Sequence, residues 1–149
     1  MRAVVQRVKE ARVEVNGRIV GEIGAGLLVF LGIEKSDTIS DVVYLASKVV
    51  SLRIFPDESG KFDLSLLDTM GKILLVSQFT LLGDCRKGKR PSFDRAAGPD
   101  PALDLYKAFI EEVKKHGIDL SEGEFQAMMD VFLINDGPVT MLLDSKKVF

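Results

Sequence analysis

The apolar and polar residues at the start of the chain alternate with the period of two that is typical of β-strands. This alternation runs over residues 2–15, and the apolar positions change parity between Val8 and Val13, which indicates a β-bulge in that interval. Asn16-Gly17 follows as the dipeptide that favours a two-residue hairpin turn, and Arg18–Ile23 returns as the second strand. The pattern therefore predicts an N-terminal β-hairpin.

Two later stretches are apolar without alternation, which is typical of strands that are covered on both faces. They are Gly26–Ile33 (GLLVFLGI) and Ile73–Gln78 (ILLVSQ). The glycine cluster GEIGAG lies between two predicted strands rather than before a helix, so it indicates a turn and not a nucleotide-binding loop. Leu52–Ser65 predicts a short strand and a turn-rich loop, and one or two further strands are expected between Phe125 and Val148.

Two segments have the apolar spacing of amphipathic helices. The first follows Ser36-Asp37, which we expect to provide its N-cap. Its apolar positions are Ile39, Val42, Val43, Ala46, Val49 and Val50. The second begins at Gly98-Pro99-Asp100-Pro101, where Asp100 is the expected cap and a proline lies in the first turn, and it ends at His116-Gly117. Its apolar stripe is Leu105, Tyr106, Phe109, Ile110 and Val113.

The predicted order of elements is therefore β-β-β-α-β-β-α-β-β. Strands dominate, and the two long helices need an apolar surface on which to pack. The predicted fold class is α/β: a layered β/β/α domain with mixed sheets that form a half-barrel-like core, covered by two main helices. No repeat, low-complexity tract or linker divides the chain, so we expect one domain over residues 1–149.

The composition of the chain mainly argues against several classes of protein. The net charge is −2, so no overall basic field indicates nucleic-acid binding. No apolar run reaches the length of about 18 residues that a membrane span needs, and the N-terminus lacks the apolar core of a signal peptide. The single Cys85 fits a reducing compartment, so we expect a cytoplasmic protein. One histidine and one cysteine, without HExxH, CxxC, EF-hand or P-loop patterns, predict no metal and no cofactor.

Side-chain acid–base chemistry has few candidates in this chain. A dyad of Cys85 and His116 is conceivable, but His116 is better explained as the end of a helix. The hydroxyls that follow the second buried strand have no obvious histidine base, so a Ser-His-Asp triad is not expected. The segment SQFTL, residues 77–81, ends that strand, where main-chain N–H groups can hold an oxyanion or a base edge. Taken alone, an ordinary strand-to-loop transition with Phe79 in the core explains it better.

A cluster of cations lies in the segment CRKGKRPSFDR. Four of them fall within five residues, namely Arg86, Lys87, Lys89 and Arg90. A charge run of this kind is usually a solvated loop, and that interpretation is favoured on the sequence alone. The alternative is a patch that contacts phosphates.

Gly137-Pro138 interrupts the alternating stretch LINDGPVTMLLD. Proline cannot donate a hydrogen bond within a sheet, and glycine weakens the interior of a strand. The pair therefore marks a sheet edge, a bulge or a place where the backbone closely approaches another group.

The segments SQFTL at 77–81 and NDGPVT at 135–140 occur together in this chain, with MRAVVQRV at the N-terminus and GLLVFLGI at 26–33. In this combination the chain resembles the D-aminoacyl-tRNA deacylase family from Met1 to Phe149. The resemblance implies hydrolysis of the ester between a D-amino acid and the 3′-terminal adenosine of tRNA, and thus chiral proofreading in translation. It also implies a homodimer with active sites at its interface, and glycyl-tRNA follows as an expected second substrate.

The resemblance also implies roles for residues of the SQFTL segment. The main-chain N–H groups of Gln78 and Phe79 would hold the terminal adenosine and the ester, with Phe79 as the oxyanion donor. Ser77 would shape the strand end. Either Thr80 or the 2′-hydroxyl of the tRNA drives the chemistry, and the lack of a base near Thr80 favours the 2′-hydroxyl, with Thr80 as a positioning group.

Further roles follow for residues outside this segment. The family has a cis peptide bond at the position of Gly137-Pro138, whose carbonyls reach the active site of the other subunit and exclude L side chains by steric clash. Arg7 resembles the residue that tethers this turn, and Asn135 and Thr140 are expected to brace it. Met129 and Phe125 are candidates for the adenosine pocket, although a place in the apolar core explains them equally well. Arg86, Lys87, Lys89 and Arg90 become candidates for contacts with tRNA phosphates.

Other functions remain open on the sequence. A related enzyme of relaxed chirality would remove a mischarged L-amino acid. A non-catalytic dimeric tRNA-binding module would bind tRNA without cleaving the ester, and a purely structural dimer would lose stability but no activity on substitution of Pro138.

Overall fold

The computed structural model describes all 149 residues of the chain and contains eight strands and three helices. The strands are β1 (Arg2–Val15), β2 (Arg18–Ile23), β3 (Gly26–Gly32), β4 (Phe55–Pro56), β5 (Phe62–Leu64), β6 (Lys72–Ser77), β7 (Leu120–Glu122) and β8 (Asp130–Asp144). The helices are α1 (Ile39–Ser51), α2 (Leu66–Thr69) and α3 (Pro99–Lys115), and a 3₁₀ turn covers Phe79–Leu82. The predicted α/β class with two main helices is confirmed, whereas β7 and α2 are too short to give a periodic pattern.

Six strands form one mixed sheet in the order β2-β1-β3-β6-β7, and β8 pairs with the opposite edge of β1. β1 is antiparallel to β2, β3 and β8, whereas β6 is parallel to β3 and to β7. The two outer strands of this order, β2 and β7, lie close together: Ser121 Oγ of β7 donates a hydrogen bond of 3.0 Å to the Glu22 carbonyl of β2. The predicted half-barrel-like core is thus present as a nearly closed barrel, and β4 and β5 form a separate hairpin.

The main core lies between one face of this sheet and helices α1 and α3. Its strand residues include Leu27, Val29, Leu31, Ile73 and Leu75, and its helix residues include Leu45, Val49, Phe109 and Val113. The intervening residues of the same two strands face a second, smaller cluster that contains Leu28, Leu74, Val76, Val8, Ala11 and Val13. The central strands are therefore covered on both faces, as their continuous apolar sequences predict.

The start of α1 differs from the sequence prediction. Thr38 is the N-cap rather than Ser36-Asp37, because Thr38 and Asp41 form a reciprocal capping box. Asp37 is instead buried against the α-ammonium group of Met1. A charged pair between residues distant in sequence cannot be recognised from a local pattern. The sequence prediction therefore assigned the cap to Ser36-Asp37, one residue too early.

The start of α3 also differs from the prediction. Gly98 is the N-cap and Pro99 is the first helical residue, so Asp100 lies within the first turn instead of capping it. Its carboxylate is still favourable there, because the N-terminal end of a helix carries partial positive charge. His116 ends the helix as expected.

The C-terminal segment forms one long edge strand, β8, along almost the whole of β1. The register between the two strands shifts between Gln6 and Val8 and again between Val8 and Glu10, at the start of the interval in which a bulge is predicted. Gly137-Pro138 lies opposite this irregular part of β1. The pair therefore marks both a sheet edge and a bulge.

Candidate active site

The SQFTL segment turns sharply at the end of β6. The N–H of Gln78 donates to the Leu31 carbonyl at 2.8 Å, and the first hydrogen bond of the 3₁₀ turn runs from Leu81 N–H to the Gln78 carbonyl at 3.3 Å. The main-chain N–H groups of Phe79 and Thr80 come before Leu81, the first donor of the turn. They therefore have no partner within the turn and can donate to another acceptor. The Gln78 amide, in contrast, is already engaged, which disagrees with the role implied for it by the resemblance.

A cavity of about 670 Å³ lies beside this turn, a size typical of small-molecule sites. Its walls include Ser77, Gln78, Phe79, Thr80, Phe125 and Met129. Apolar side chains predominate, and none of the sixteen lining residues is ionisable. The cavity can therefore bind an apolar or aromatic group beside main-chain donors, but its own side chains provide no general base.

Aromatic residues outside the predicted set support this cavity. Phe79 is 58% exposed, so its placement in the core is wrong, and its ring packs edge-to-face with that of Phe93, with centroids 5.0 Å apart. The Tyr106 ring packs 5.6 Å from that of the lining residue Phe125, and its hydroxyl donates a hydrogen bond of 3.1 Å to the Leu75 carbonyl. Burial raises the pKa of the Tyr106 phenol, so it stays neutral.

Thr80 is bonded to its neighbour in the turn rather than to a base. Gln78 Nε2 donates a hydrogen bond to Thr80 Oγ1. The hydroxyl oxygen is thus an acceptor in this arrangement, and no ionisable lining residue is present to remove its proton. The geometry suits a positioning role better than that of a nucleophile.

The Gly137-Pro138 turn is rigidly braced on β8. The peptide bond is cis, as predicted, and both residues are exposed. Asn135 Oδ1 accepts a hydrogen bond of 2.7 Å from the Val139 N–H, and Asn135 Nδ2 donates to the Val139 carbonyl at 3.1 Å. Thr140 Oγ1 accepts from Gln6 Nε2 at 3.1 Å. Both residues that the sequence predicts as braces therefore make such contacts.

Arg7 tethers the same turn from β1. Its side chain is 8% exposed, and its Nε donates to the Asp136 carbonyl at 3.1 Å and lies 3.1 Å from Asp136 Oδ2. A further guanidinium nitrogen donates to the Ile54 carbonyl. The sequence prediction placed Arg7 at this turn but did not include Asp136 or Ile54, because these partners are distant from Arg7 in the chain.

The structure does not bring the two predicted halves of the site together within one chain. Arg7, Gly137 and Pro138 are absent from the cavity wall. β8 is separated from β6 by β1 and β3, and three strand spacings amount to about 14 Å. One chain alone therefore has an open cavity at one strand end and an exposed, braced turn elsewhere.

The four basic residues of the predicted phosphate patch differ in their surroundings. Arg86 is bound to Asp84, since its Nε lies 2.9 Å from Asp84 Oδ1 and its main-chain N–H donates to the same oxygen at 3.0 Å. Hydrogen bonds from Arg86 lower the pKa of Asp84. Lys87, Lys89 and Arg90 are exposed and form no ion pair, so they are the free cations of this loop.

The structure has no group of three His, Cys, Asp or Glu side chains that could hold a metal ion. None of its helices combines the length and the apolar character needed to cross a membrane.

Together, the fold and the cavity define a mixed α/β protein whose candidate site presents main-chain donors instead of catalytic side chains. The model of the family D-Tyr-tRNA(Tyr) deacylase matches residues 4–144. Two relatives, both named D-aminoacyl-tRNA deacylase, align over 100% of both chains: that of Thermosipho africanus is 59% identical and that of Desulfotalea psychrophila is 60% identical. The chain therefore belongs to the D-aminoacyl-tRNA deacylase family and is an enzyme of the hydrolase class.

Solved structures share this fold. A structure named c-Myc DNA Unwinding Element Binding Protein is 41% identical, with a TM-score of 0.91 over 97% of this chain and 98% of that chain. A second structure, described as a probable eukaryotic D-amino acid tRNA deacylase, has a TM-score of 0.84 over 95% of this chain and 97% of that chain. Its identity is 18%, so this second likeness shows the fold alone.

Proposed function

We propose that this protein hydrolyses the ester bond of D-aminoacyl-tRNA and releases the free D-amino acid and tRNA. The observation that carries the proposal is the cavity beside residues 77–81, where unbonded main-chain amides meet an apolar wall with no ionisable residue. Such a cavity suits a terminal adenosine and the ester attached to it. Because translation uses its substrate, we expect the enzyme to act in the cytoplasm.

The proposed chemistry depends on main-chain electrostatics. The Phe79 amide, with the Thr80 amide beside it, would donate to the oxygen that becomes negative when the ester carbonyl is attacked. Water attacks the carbonyl carbon, the bond to the 3′-oxygen breaks, and the 3′-oxygen leaves with a proton. We assign the activation of water to the adjacent 2′-hydroxyl of the tRNA, because the cavity offers no ionisable side chain and Thr80 accepts a hydrogen bond from Gln78. Ser77 shapes the strand end, and Phe125 and Met129 line the adenosine pocket.

Chiral selectivity is assigned to the turn formed by Gly137 and Pro138. It is exposed yet held on both sides, by Asn135 and by Arg7. A rigid main-chain wall can reject a bulky group by steric clash more sharply than a pocket can select one by contact. An L side chain would meet the wall, whereas a D side chain would point away from it, so the enzyme would act in chiral proofreading. Glycine has no side chain to clash, so glycyl-tRNA is the expected second substrate.

Within one chain the Gly137-Pro138 turn lies away from the cavity, so it can reach only the cavity of a second copy of the chain. β8 is an edge strand that pairs only with β1, and its apolar residues Phe132, Ile134 and Leu142 are 42%, 51% and 62% exposed. A long edge strand with exposed apolar residues is favourable for association and unfavourable for a monomer. We therefore propose a homodimer through this surface, in which the turn of each chain completes the cavity of the other.

The proposed function is tested by hydrolysis of matched D-tyrosyl-tRNA and L-tyrosyl-tRNA, with glycyl-tRNA in parallel. We expect release of amino acid from the D and glycyl substrates, and no detectable release from the L substrate at the enzyme concentration that hydrolyses the D substrate. Equal release from D and L substrates would contradict the proposed wall while leaving a deacylase of relaxed chirality. Binding without release from any substrate would contradict the proposed hydrolysis and favour a non-catalytic tRNA-binding module.

A separate prediction concerns the basic loop, which we propose contacts the phosphates of the tRNA acceptor stem. Replacing Lys87, Lys89 or Arg90 by alanine is expected to weaken tRNA binding and to lower the slope of log K against log salt concentration by about 1 for each residue. Arg86→Ala is the matched comparison, and its effect on the slope is expected to be smaller because Asp84 already neutralises this side chain. Binding of tRNA measured between 50 and 200 mM salt, roughly the range in which such effects are large, distinguishes the four variants. Equal slopes for all four variants and the unaltered protein would contradict a phosphate contact.

A further inference from the structure

The guanidinium group of Arg7 is contacted by the Gly137-Pro138 turn and by the β4–β5 hairpin with the residue before it, Ile54. Its nitrogens bond to the carbonyl groups of Asp136 and Ile54 and to the Asp136 carboxylate. Its Nη2 also lies 3.2 Å from the position that a Cβ atom on Gly137 would occupy. A change in the position of Arg7 is therefore transmitted directly to the Gly137-Pro138 turn.

Two aromatic rings of the β4–β5 hairpin also lie against this cation. The Arg7 Cζ atom lies 6.0 Å from the centroid of the Phe55 ring and 5.2 Å from that of Phe62. Both distances are within the range of a cation–π attraction, which increases when the cation is desolvated as it is here. Arg7 thus contacts the Asp136 carboxylate beside the Gly137-Pro138 turn and the two aromatic rings on the hairpin.

The two rings differ in what else they do. Phe55 is only 9% exposed and belongs to the main core, so its packing explains its presence. Phe62 is 52% exposed and is not a member of either core cluster. Its ring lies over the Arg7 cation, and we expect its removal to leave the core intact.

The hairpin that carries Phe62 is itself well fixed. Arg53 Nε donates to the Asp63 carbonyl at 2.7 Å, next to Phe62 in the chain. At the tip, Asp57 N–H donates to the Lys61 carbonyl at 2.8 Å, and Lys61 N–H donates to Asp57 Oδ1 at 3.0 Å. Phe62 is therefore presented to Arg7 from a braced support rather than from a free loop.

We propose that Phe62 is a positioning residue for chiral selection, which acts through Arg7 on the Gly137-Pro138 turn. The inference rests on the proposed function of that turn as the wall that excludes L side chains. Without the Phe62 ring, Arg7 loses one lateral support and the turn can yield to an L side chain. The predicted consequence is a loss of selectivity, with hydrolysis of the D substrate largely retained.

The test compares kcat/KM for D-tyrosyl-tRNA and L-tyrosyl-tRNA in five variants, with enough enzyme to measure the slow reaction of the L substrate. Phe62→Ala is expected to lower the D-to-L ratio by about three- to tenfold, as expected for the loss of one partly desolvated cation–π contact. Phe62→Tyr retains an aromatic ring, and its D-to-L ratio is expected to equal that of the unaltered protein. Tyr44→Ala is the matched control, because Tyr44 is an exposed aromatic residue over another cation, Lys147, at 5.5 Å, and its removal is expected to leave the ratio unchanged.

Arg7→Lys separates the inference from the function on which it rests. It is expected to lower the ratio further, and Phe62→Ala combined with Arg7→Lys is expected to add little to that loss, because both act through one contact. An unchanged ratio in Phe62→Ala, with a lowered ratio in Arg7→Lys, would overturn the role of Phe62 alone. Equal hydrolysis of the D and L substrates by the unaltered protein would overturn the wall and the inference together. Additive losses in the double variant would also contradict action through Arg7.

Discussion

Replacing Phe79 by proline is expected to lower kcat for D-tyrosyl-tRNA about 100- to 1000-fold, the usual cost of losing one oxyanion donor. The substitution removes the main-chain N–H that we propose stabilises the negative oxygen. Proline is compatible with the first turn of a helix, where the N–H has no partner within the helix, and Phe79 begins the 3₁₀ turn. We therefore expect the fold to persist while the donor is lost.

Phe79→Leu is the matched control, because it removes the ring but keeps the N–H. It loses the edge contact with Phe93 and part of the cavity wall, so we expect a raised KM with most of kcat retained. Single-turnover hydrolysis, with thermal unfolding measured on the same samples, separates the two effects. Equal loss of kcat in both variants would show that the ring, not the amide, matters for the reaction.

Replacing Gly137 by alanine is expected to lower kcat/KM for D-tyrosyl-tRNA by about 100-fold, the scale on which small displacements in a site reduce activity. Gly137 has φ of +134°, a conformation that L side chains rarely adopt. An added Cβ would lie 2.7 Å from Val139 Cγ2 and 3.2 Å from Arg7 Nη2. The added Cβ would therefore displace the turn within the cavity that it completes and misplace the D substrate as well, whereas loss of the Phe62 ring leaves the turn in place but less rigid.

The control for this substitution is Gly117→Ala at the end of α3. Gly117 also has a positive φ, +76°, but an added Cβ would meet nothing within 4 Å. Gly117→Ala therefore introduces the same kind of backbone strain as Gly137→Ala, but without a steric clash near the site. Loss of activity in Gly117→Ala equal to that in Gly137→Ala would assign the effect to stability rather than to the turn.

The sequence predicted those features that depend on local pattern. Continuous apolar runs gave the two central strands, and Asn16-Gly17 gave the first hairpin, because burial and turn conformation impose residue types at short range. The same reasoning failed at Asp37, whose partner is the α-ammonium group of Met1. It also missed β7, since three residues are too few to show a period.

The candidate site was predictable only in part, for the same physical reason. Residues 77–80 and Gly137-Pro138 were identified because short motifs carry their resemblance to the family. Phe62 and Phe93 were not, because each acts on a residue that the fold, and not the sequence, places beside it. The engaged amide of Gln78 was likewise hidden, since its acceptor, Leu31, belongs to the neighbouring strand.

The central claim is that one active site combines the Phe79 turn of one chain with the Gly137 turn of another. It is tested most directly by forming mixed dimers from Phe79→Pro and Gly137→Ala chains, each nearly inactive by itself. In a mixed dimer of two-fold symmetry, one site receives both altered residues and the other receives neither. A random equimolar mixture is therefore expected to recover about one quarter of the unaltered activity on D-tyrosyl-tRNA. Activity no greater than the average of the two separate variants would contradict a site built from two chains.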